Sequence, residues 1–172
     1  MQKILHTIIY HLIFILAMAV SPAGATVAMP AFSLSSVVDG TAITSDSYKE
    51  KVLLVTFFAT WCKPCMQEVA ILKQLQRDLG PRGFSVVALS IDEGGPGIVS
   101  KLVKLRQINY PVAMATRTII HDFGDFSGIP TSFLVNRQGH VVRSYTGFVS
   151  PKRVKQDITA LLSTAVSGKD VE

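Results

Sequence analysis

The two cysteines of the chain, Cys62 and Cys65, stand together in Trp61-Cys62-Lys63-Pro64-Cys65, directly after an apolar, β-branched run from Val52 to Phe58. Cys-x-x-Cys on a strand-to-helix turn is the arrangement of a redox dithiol. A helix beginning at Cys62 aims its unpaired backbone N–H groups and positive dipole end at that sulfur, which favours thiolate over thiol. Cys62, beside Trp61, is therefore read as the accessible nucleophile. Cys65 lies one turn further along the same face, where it can attack a mixed disulfide formed at Cys62 and release the product. Lys63 and Pro64 bear on the stability of dithiol against disulfide, but their identities alone do not set the reduction potential.

Other uses of a cysteine pair fit less well. A zinc site needs about four ligands, and outside the N-terminal segment only His121 and His140 are available, at no finger-like spacing. No metal is expected. Covalent haem attachment requires His after the second Cys, where Met66 stands. A purely structural disulfide would close too short a loop to restrict the unfolded chain much.

With 172 residues, 48% of them hydrophobic, the chain suits one domain with a substantial core. Lys3, the apolar run Ile8 to Val20 and the small residues Ala23 and Ala25 read as a secretory signal, residues 1–25, with an Ala-x-Ala cleavage site. An uncleaved anchor is the alternative, although the thirteen-residue run, interrupted by His11, is shorter than the roughly 20 residues that span a bilayer. Residues 26–172 then form the working domain. Loss of Lys3 with the signal lowers the formal net charge from +5 to +4. The cations are spread along the chain, so a nucleic-acid partner is not expected. In an oxidising compartment a lone Cys-x-x-Cys becomes a disulfide unless a partner keeps supplying electrons.

The elements that must position the pair follow from the pattern. Thr26 to Ala31 read as a flexible lead-in. Phe32 to Leu34 and Thr41 to Ile43, around Asp39-Gly40, read as a hairpin, with a short helix near Asp46 to Tyr48. Val52 to Phe58 is apolar enough to be a central strand covered on both faces. Val69, Leu72, Leu75 and Leu79 form a helical stripe in line with Cys65, and Gly80-Pro81 ends it. Pro64 is tolerated in the first turn, where no acceptor awaits its missing N–H. A strand over Phe84 to Ile91, a helix over Ile98 to Gln107, a short strand over Pro111 to Ala115 and a helix or turn over Thr118 to Phe123 follow. Strand, helix and strand with short links imply parallel pairing. Phe123 to Gly128 read as a loop. Thr131 to Val135 and His140 to Thr146 form an antiparallel pair about Asn136 to Gly139. A last helix follows Ser150 and Pro151 and runs to about Val166.

This order of elements, the Trp61 to Cys65 motif and the later Gly128-Ile129-Pro130-Thr131 together resemble the thioredoxin superfamily. Pro30 to Leu34, Ser90-Ile-Asp-Glu93, Asn109-Tyr-Pro-Val112 and Gly128 to Gly139 are similar to its TlpA/ResA branch of exported thiol-disulfide oxidoreductases. The resemblance covers about residues 30 to 165. It implies an α/β, thioredoxin-like three-layer sandwich: a central mixed β-sheet flanked by helices, with an N-terminal hairpin and a central helix-containing insertion. It implies no cofactor beyond the Cys62–Cys65 couple. Pro130 matches the family's cis-proline, whose loop faces the cysteines and leaves the backbone of Ile129 to pair with substrate peptide beside Trp61. Glu68 matches the branch's acidic residue. On the residues alone, Glu68 is either a surface carboxylate or a half-buried one facing the sheet; the resemblance favours the latter, as the proton acceptor of Cys65. Thr56 stands where ordinary thioredoxins keep a buried Asp, which leaves that task to Glu68. A peroxidase relative needs Thr or Ser three residues before its reactive Cys, and Ala59 is there.

The resulting expectation is an exported dithiol oxidoreductase, acting as a monomer. It takes electrons from a membrane thiol donor and reduces disulfides of client proteins, with cytochrome c maturation as the process the branch suggests. A disulfide-donating oxidase and a redox-switched peptide-binding module are the alternatives.

Overall fold

The computed structural model describes residues 27–164. The expected signal segment lies outside the described residues. Strand β4, Val52–Phe58, is buried at every position, as its unbroken apolar run requires. It occupies the interior of a six-stranded mixed sheet of order β1-β8-β7-β4-β5-β6, made with β1 (Val27–Ala28), β5 (Phe84–Ser90), β6 (Val112–Met114), β7 (Thr131–Val135) and β8 (His140–Thr146). β4 pairs in parallel with β5, and β5 with β6, whereas β7 runs antiparallel to both β4 and β8. The expected mixed sheet is present.

Alternation along β4 divides the core. Val52, Leu54 and Phe58 point to one layer, with Leu72, Leu75 and Leu79 of α1 (Lys63–Leu79), Val99 and Val103 of α2 (Pro96–Arg106), and Val154, Ile158 and Leu162 of α4 (Pro151–Thr164). Leu53, Val55 and Phe57 point to the other layer, where Ile119 of α3 (Arg117–Asp122), Phe123 and the hairpin residues Phe32 and Ile43 cover them. Phe57 is ringed there by Phe123 and Phe126, at centroid distances of 5.3 and 4.5 Å. The segment read as a loop after Phe123 thus contributes an aromatic to the core.

The hairpin is β2 (Ser33–Ser35) with β3 (Ala42–Thr44), one residue further along the chain than expected. Asp39 Oδ1 accepts from the backbone N–H and hydroxyl of Thr41, and Gly40 takes φ +73°, which together close the turn. Ser36 bridges to Ala113, so the hairpin docks beside the β6 edge. Ser45–Tyr48 forms the expected short helix, of 3₁₀ type.

Several element ends differ from the sequence pattern by a residue or two, and three segments show how the chain is laid down. The lead-in is not a free segment: Val27 and Ala28 pair with Val141 and His140, adding β1 to the β8 edge. Two residues with exposed side chains carry no periodicity that would announce a strand. α1 stops at Leu79, where Gly80-Pro81 was expected to end it, and the chain continues as a 3₁₀ turn over Gly80–Arg82 until Gly83, whose φ of +89° ends it. α2 begins at Pro96, two residues early, because Gly95 at φ +77° turns the chain and Pro96 supplies helical φ without needing an acceptor.

Candidate active site

β4 ends at Phe58, and a turn closed by Cys62 N–H donating to the Ala59 carbonyl (3.2 Å) leads into α1. Cys62 is the N-cap residue of α1, in extended conformation, and Cys65 N–H donates to its Sγ at 3.2 Å. Cap geometry therefore directs a helix-terminal donor at this sulfur, the contact that favours a thiolate when the bond to Cys65 is open. Here the pair is oxidised, with an S–S distance of 2.03 Å. Cys62 is 5% and Cys65 2% exposed, so in the disulfide form the two differ in access by little, and cap position rather than exposure tells them apart. Trp61 is 69% exposed beside them. Lys63 is exposed and Pro64 half-buried in the first turn.

On the other side of Cys62 lies the loop before β7. The Ile129–Pro130 bond is cis, and the Ile129 carbonyl oxygen sits 3.8 Å from Cys62 Sγ. Trp61, Cys62, Ile129 and Pro130 are thereby brought to one end of the sheet.

Behind Cys65 a small cavity of about 10 Å³ is lined by Thr56, Phe58, Cys65, Glu68, Val69, Leu72, Ala88 and Tyr110. It has the volume of about one water molecule. Glu68, half-buried and next to Val69 of the buried stripe, reaches both this cavity and a second one lined by Ser132, Tyr145 and Val149. Burial pushes the Glu68 carboxyl up to about 7, against the Val149 backbone N–H, which favours the charged form. The buried Tyr110 phenol is pushed up in turn, by desolvation first and by the Glu68 charge second. Thr56 is buried and accepts from Ser132 Oγ at 2.8 Å, its cross-strand partner on β7. A neutral hydroxyl pair thus occupies the floor of the site, leaving Glu68 as the carboxyl that lines the cavity with Cys65.

Two contributors escaped the sequence reading. Tyr110 closes the cavity, and Asp92 is buried against the turn that carries Trp61, accepting from Thr60 N–H at 2.9 Å and Thr60 Oγ1 at 2.5 Å. Ser90-x-Asp92, a polar pair at the end of an apolar strand, was the available signal for the second. Among the described residues no group of three or more His, Cys, Asp or Glu side chains is placed to hold a metal.

Comparison with known proteins decides the lineage. The Redoxin family model matches residues 22–162. The chain belongs to the redoxin family. This redoxin is 28% identical over 130 residues to the thiol-disulfide oxidoreductase ResA of Bacillus subtilis, covering 76% of this chain and 72% of that protein. It is 32% identical over 109 residues to a ResA of Bacillus cereus, covering 63% of this chain and 62% of that one. Among solved structures, a thiol:disulfide interchange protein of the thioredoxin family from Chlorobium tepidum TLS superposes with a TM-score of 0.75 at 34% identity, over 81% of this chain and 98% of that one. This redoxin is accordingly a TlpA/ResA-like, thioredoxin-like thiol-disulfide oxidoreductase.

Proposed function

We propose that this redoxin works outside the cytoplasm as a reductant, with Cys62 as the attacking thiol, Cys65 as the resolving thiol and Glu68 as the group that takes up and returns the proton of Cys65. The observation that carries this reading is the combination of Cys62 at the α1 N-cap with a high-pKa carboxyl on the cavity behind Cys65. The Cys62 thiolate attacks one sulfur of a client disulfide; that S–S bond breaks, a mixed disulfide forms and one client thiolate leaves. Glu68 takes the proton of Cys65, whose thiolate then attacks Cys62 Sγ and releases the second client thiolate. The client gains two electrons and the Cys62–Cys65 pair loses them. A thiol donor at the membrane restores the dithiol by the same exchange in reverse order.

Two features support reduction over oxidation. An oxidant needs its thiolate form strongly stabilised, whereas Cys62 has a single helix N–H on its sulfur and the pair shares its surroundings with a carboxyl, whose ionisation opposes that of a thiol. Export rests on the signal pattern of residues 1–25. Apocytochrome c as the client rests on the likeness to the TlpA/ResA branch, and the Trp61, Ile129 and Pro130 surface beside Cys62 would receive the client peptide. The exchange itself needs one copy of the chain.

Cysteine variants test the order of attack. With a disulfide-bearing Cys-x-x-Cys-His peptide as client, the reduced wild type should deliver two electrons per chain. Cys62→Ser should deliver none, and Cys65→Ser should accumulate a mixed disulfide through Cys62. Trapping through Cys65 in the Cys62→Ser protein, at the rate seen for Cys62, would reverse the assignment.

A further inference from the structure

Asp92 is 8% exposed and sits in no ion pair among the described residues. A carboxylate taken from water without a cation must be compensated by hydrogen bonds. Three donors reach it: Thr60 N–H at 2.9 Å and Ser90 Oγ at 2.7 Å on Oδ2, and Thr60 Oγ1 at 2.5 Å on Oδ1. Its own N–H donates to Ser90 Oγ at 3.1 Å, which fixes the carboxylate's direction. Two of the three bonds therefore fall on Thr60, which lies inside the Ala59-to-Cys62 turn. That turn has one backbone hydrogen bond of its own, at 3.2 Å. Parallel pairing sets the ends of β4 and β5 side by side, Phe58 opposite Ser90, and so brings Asp92 to a turn 32 residues earlier in the chain.

We propose that Asp92 is a positioning residue for Cys62: by gripping Thr60 it holds the turn that delivers the Cys62 sulfur to the N-cap of α1. Without that grip the Thr60 peptide can rotate, and the 3.2 Å contact from Cys65 N–H to Cys62 Sγ is no longer enforced from the strand side. The inference rests on Cys62 being the attacking thiol.

Position and charge make opposite predictions. A fixed negative charge near a thiol disfavours its thiolate, so if charge alone mattered, Asp92→Ala and Asp92→Asn would both make Cys62 more reactive. If position matters, Asp92→Ala makes it less reactive, while Asp92→Asn, whose amide oxygen can still accept from Thr60 N–H, stays near wild type. The experiment is the pH dependence of iodoacetamide alkylation of the reduced full chain, with Cys62 and Cys65 followed separately by peptide mass spectrometry. Asp92→Ala should raise the Cys62 midpoint by about half to one pH unit, slowing alkylation roughly three- to tenfold below the midpoint; Asp92→Asn should stay within about twofold of wild type. Thr60→Val keeps the shape and the carboxylate but loses the hydroxyl donor, and should shift the midpoint in the same direction by a smaller amount. It carries the test alone if Asp92→Ala does not fold. A Cys62 midpoint unmoved or lowered in Asp92→Ala or Thr60→Val, or an Asn variant as slow as the Ala variant, overturns the proposal. Faster labelling of Cys65 than Cys62 in the wild type would instead overturn the order of attack.

Discussion

Glu68 holds its proton to about pH 7 because α1 carries it under the sheet, where water cannot solvate the charge well. Between the ordinary carboxyl value of 4.5 and about 7, the unfolded chain has released a proton that the folded chain keeps. The native state binds more protons there, so stability is fully present below that window and falls as pH rises through it. Allowing for the partial exposure of the group, the loss is about 2 kcal/mol. Glu68→Gln keeps the shape and cannot titrate. Urea unfolding of the oxidised proteins from about pH 4 to about pH 8, which brackets that window, should show wild type losing that amount relative to the Gln variant; parallel losses would mean the carboxyl is solvated. The same variant should resolve a mixed disulfide about a hundredfold more slowly, at the low end of general acid–base effects of roughly 10²- to 10⁴-fold. The cysteines were legible from spacing alone, whereas the place of Glu68 one turn past Cys65 left a surface and a half-buried reading open until the family resemblance favoured the second. Asp92 and Tyr110 were not, since each reaches the site through strand pairing or packing that joins segments far apart in the chain.

At the scale of elements, the site depends on α1 being pressed to one face of β4 while the β7 loop meets it from the side. The stripe Val69, Leu72, Leu75 and Leu79 is buried as its spacing requires. The unbroken apolar runs of β4 and β5 marked central strands for the same reason. What the pattern could not convey was the edge: β1 is two exposed residues held by backbone pairing to β8, and backbone pairing leaves no side-chain periodicity. α4 packs into the layer that holds α1, and Ile158 at its centre is fully buried. The polar contacts of Cys62 Sγ come instead from α1, whose Cys65 N–H donates to it, and from the β7 loop, whose Ile129 carbonyl oxygen lies 3.8 Å away. Ile158→Ala should destabilise the fold by about 2–5 kcal/mol through the cavity it leaves, while the Cys62 alkylation midpoint in the folded protein stays put. A midpoint that moved with it would show that the site is less independent of the α4 layer than those contacts imply.

For the molecule as a whole, the balance between dithiol and disulfide sums opposing local effects. The N-cap contact from Cys65 N–H favours the thiolate of Cys62, burial disfavours either thiolate, and the Glu68 carboxyl on the shared cavity opposes ionisation of Cys65. Stabilising the thiolate stabilises the reduced form and makes a couple oxidising, so the net sign decides which way electrons run. The fold makes either direction available; only the potential of the pair separates a reductant of client disulfides from a disulfide donor. The most direct measurement is the equilibrium of the Cys62–Cys65 couple of the full chain in graded glutathione or dithiothreitol buffers at neutral pH, read by the mass of alkylated dithiol. The reducing account predicts a potential near that of thioredoxin, about −270 mV; a value near that of a strong oxidant, about −120 mV, would contradict it.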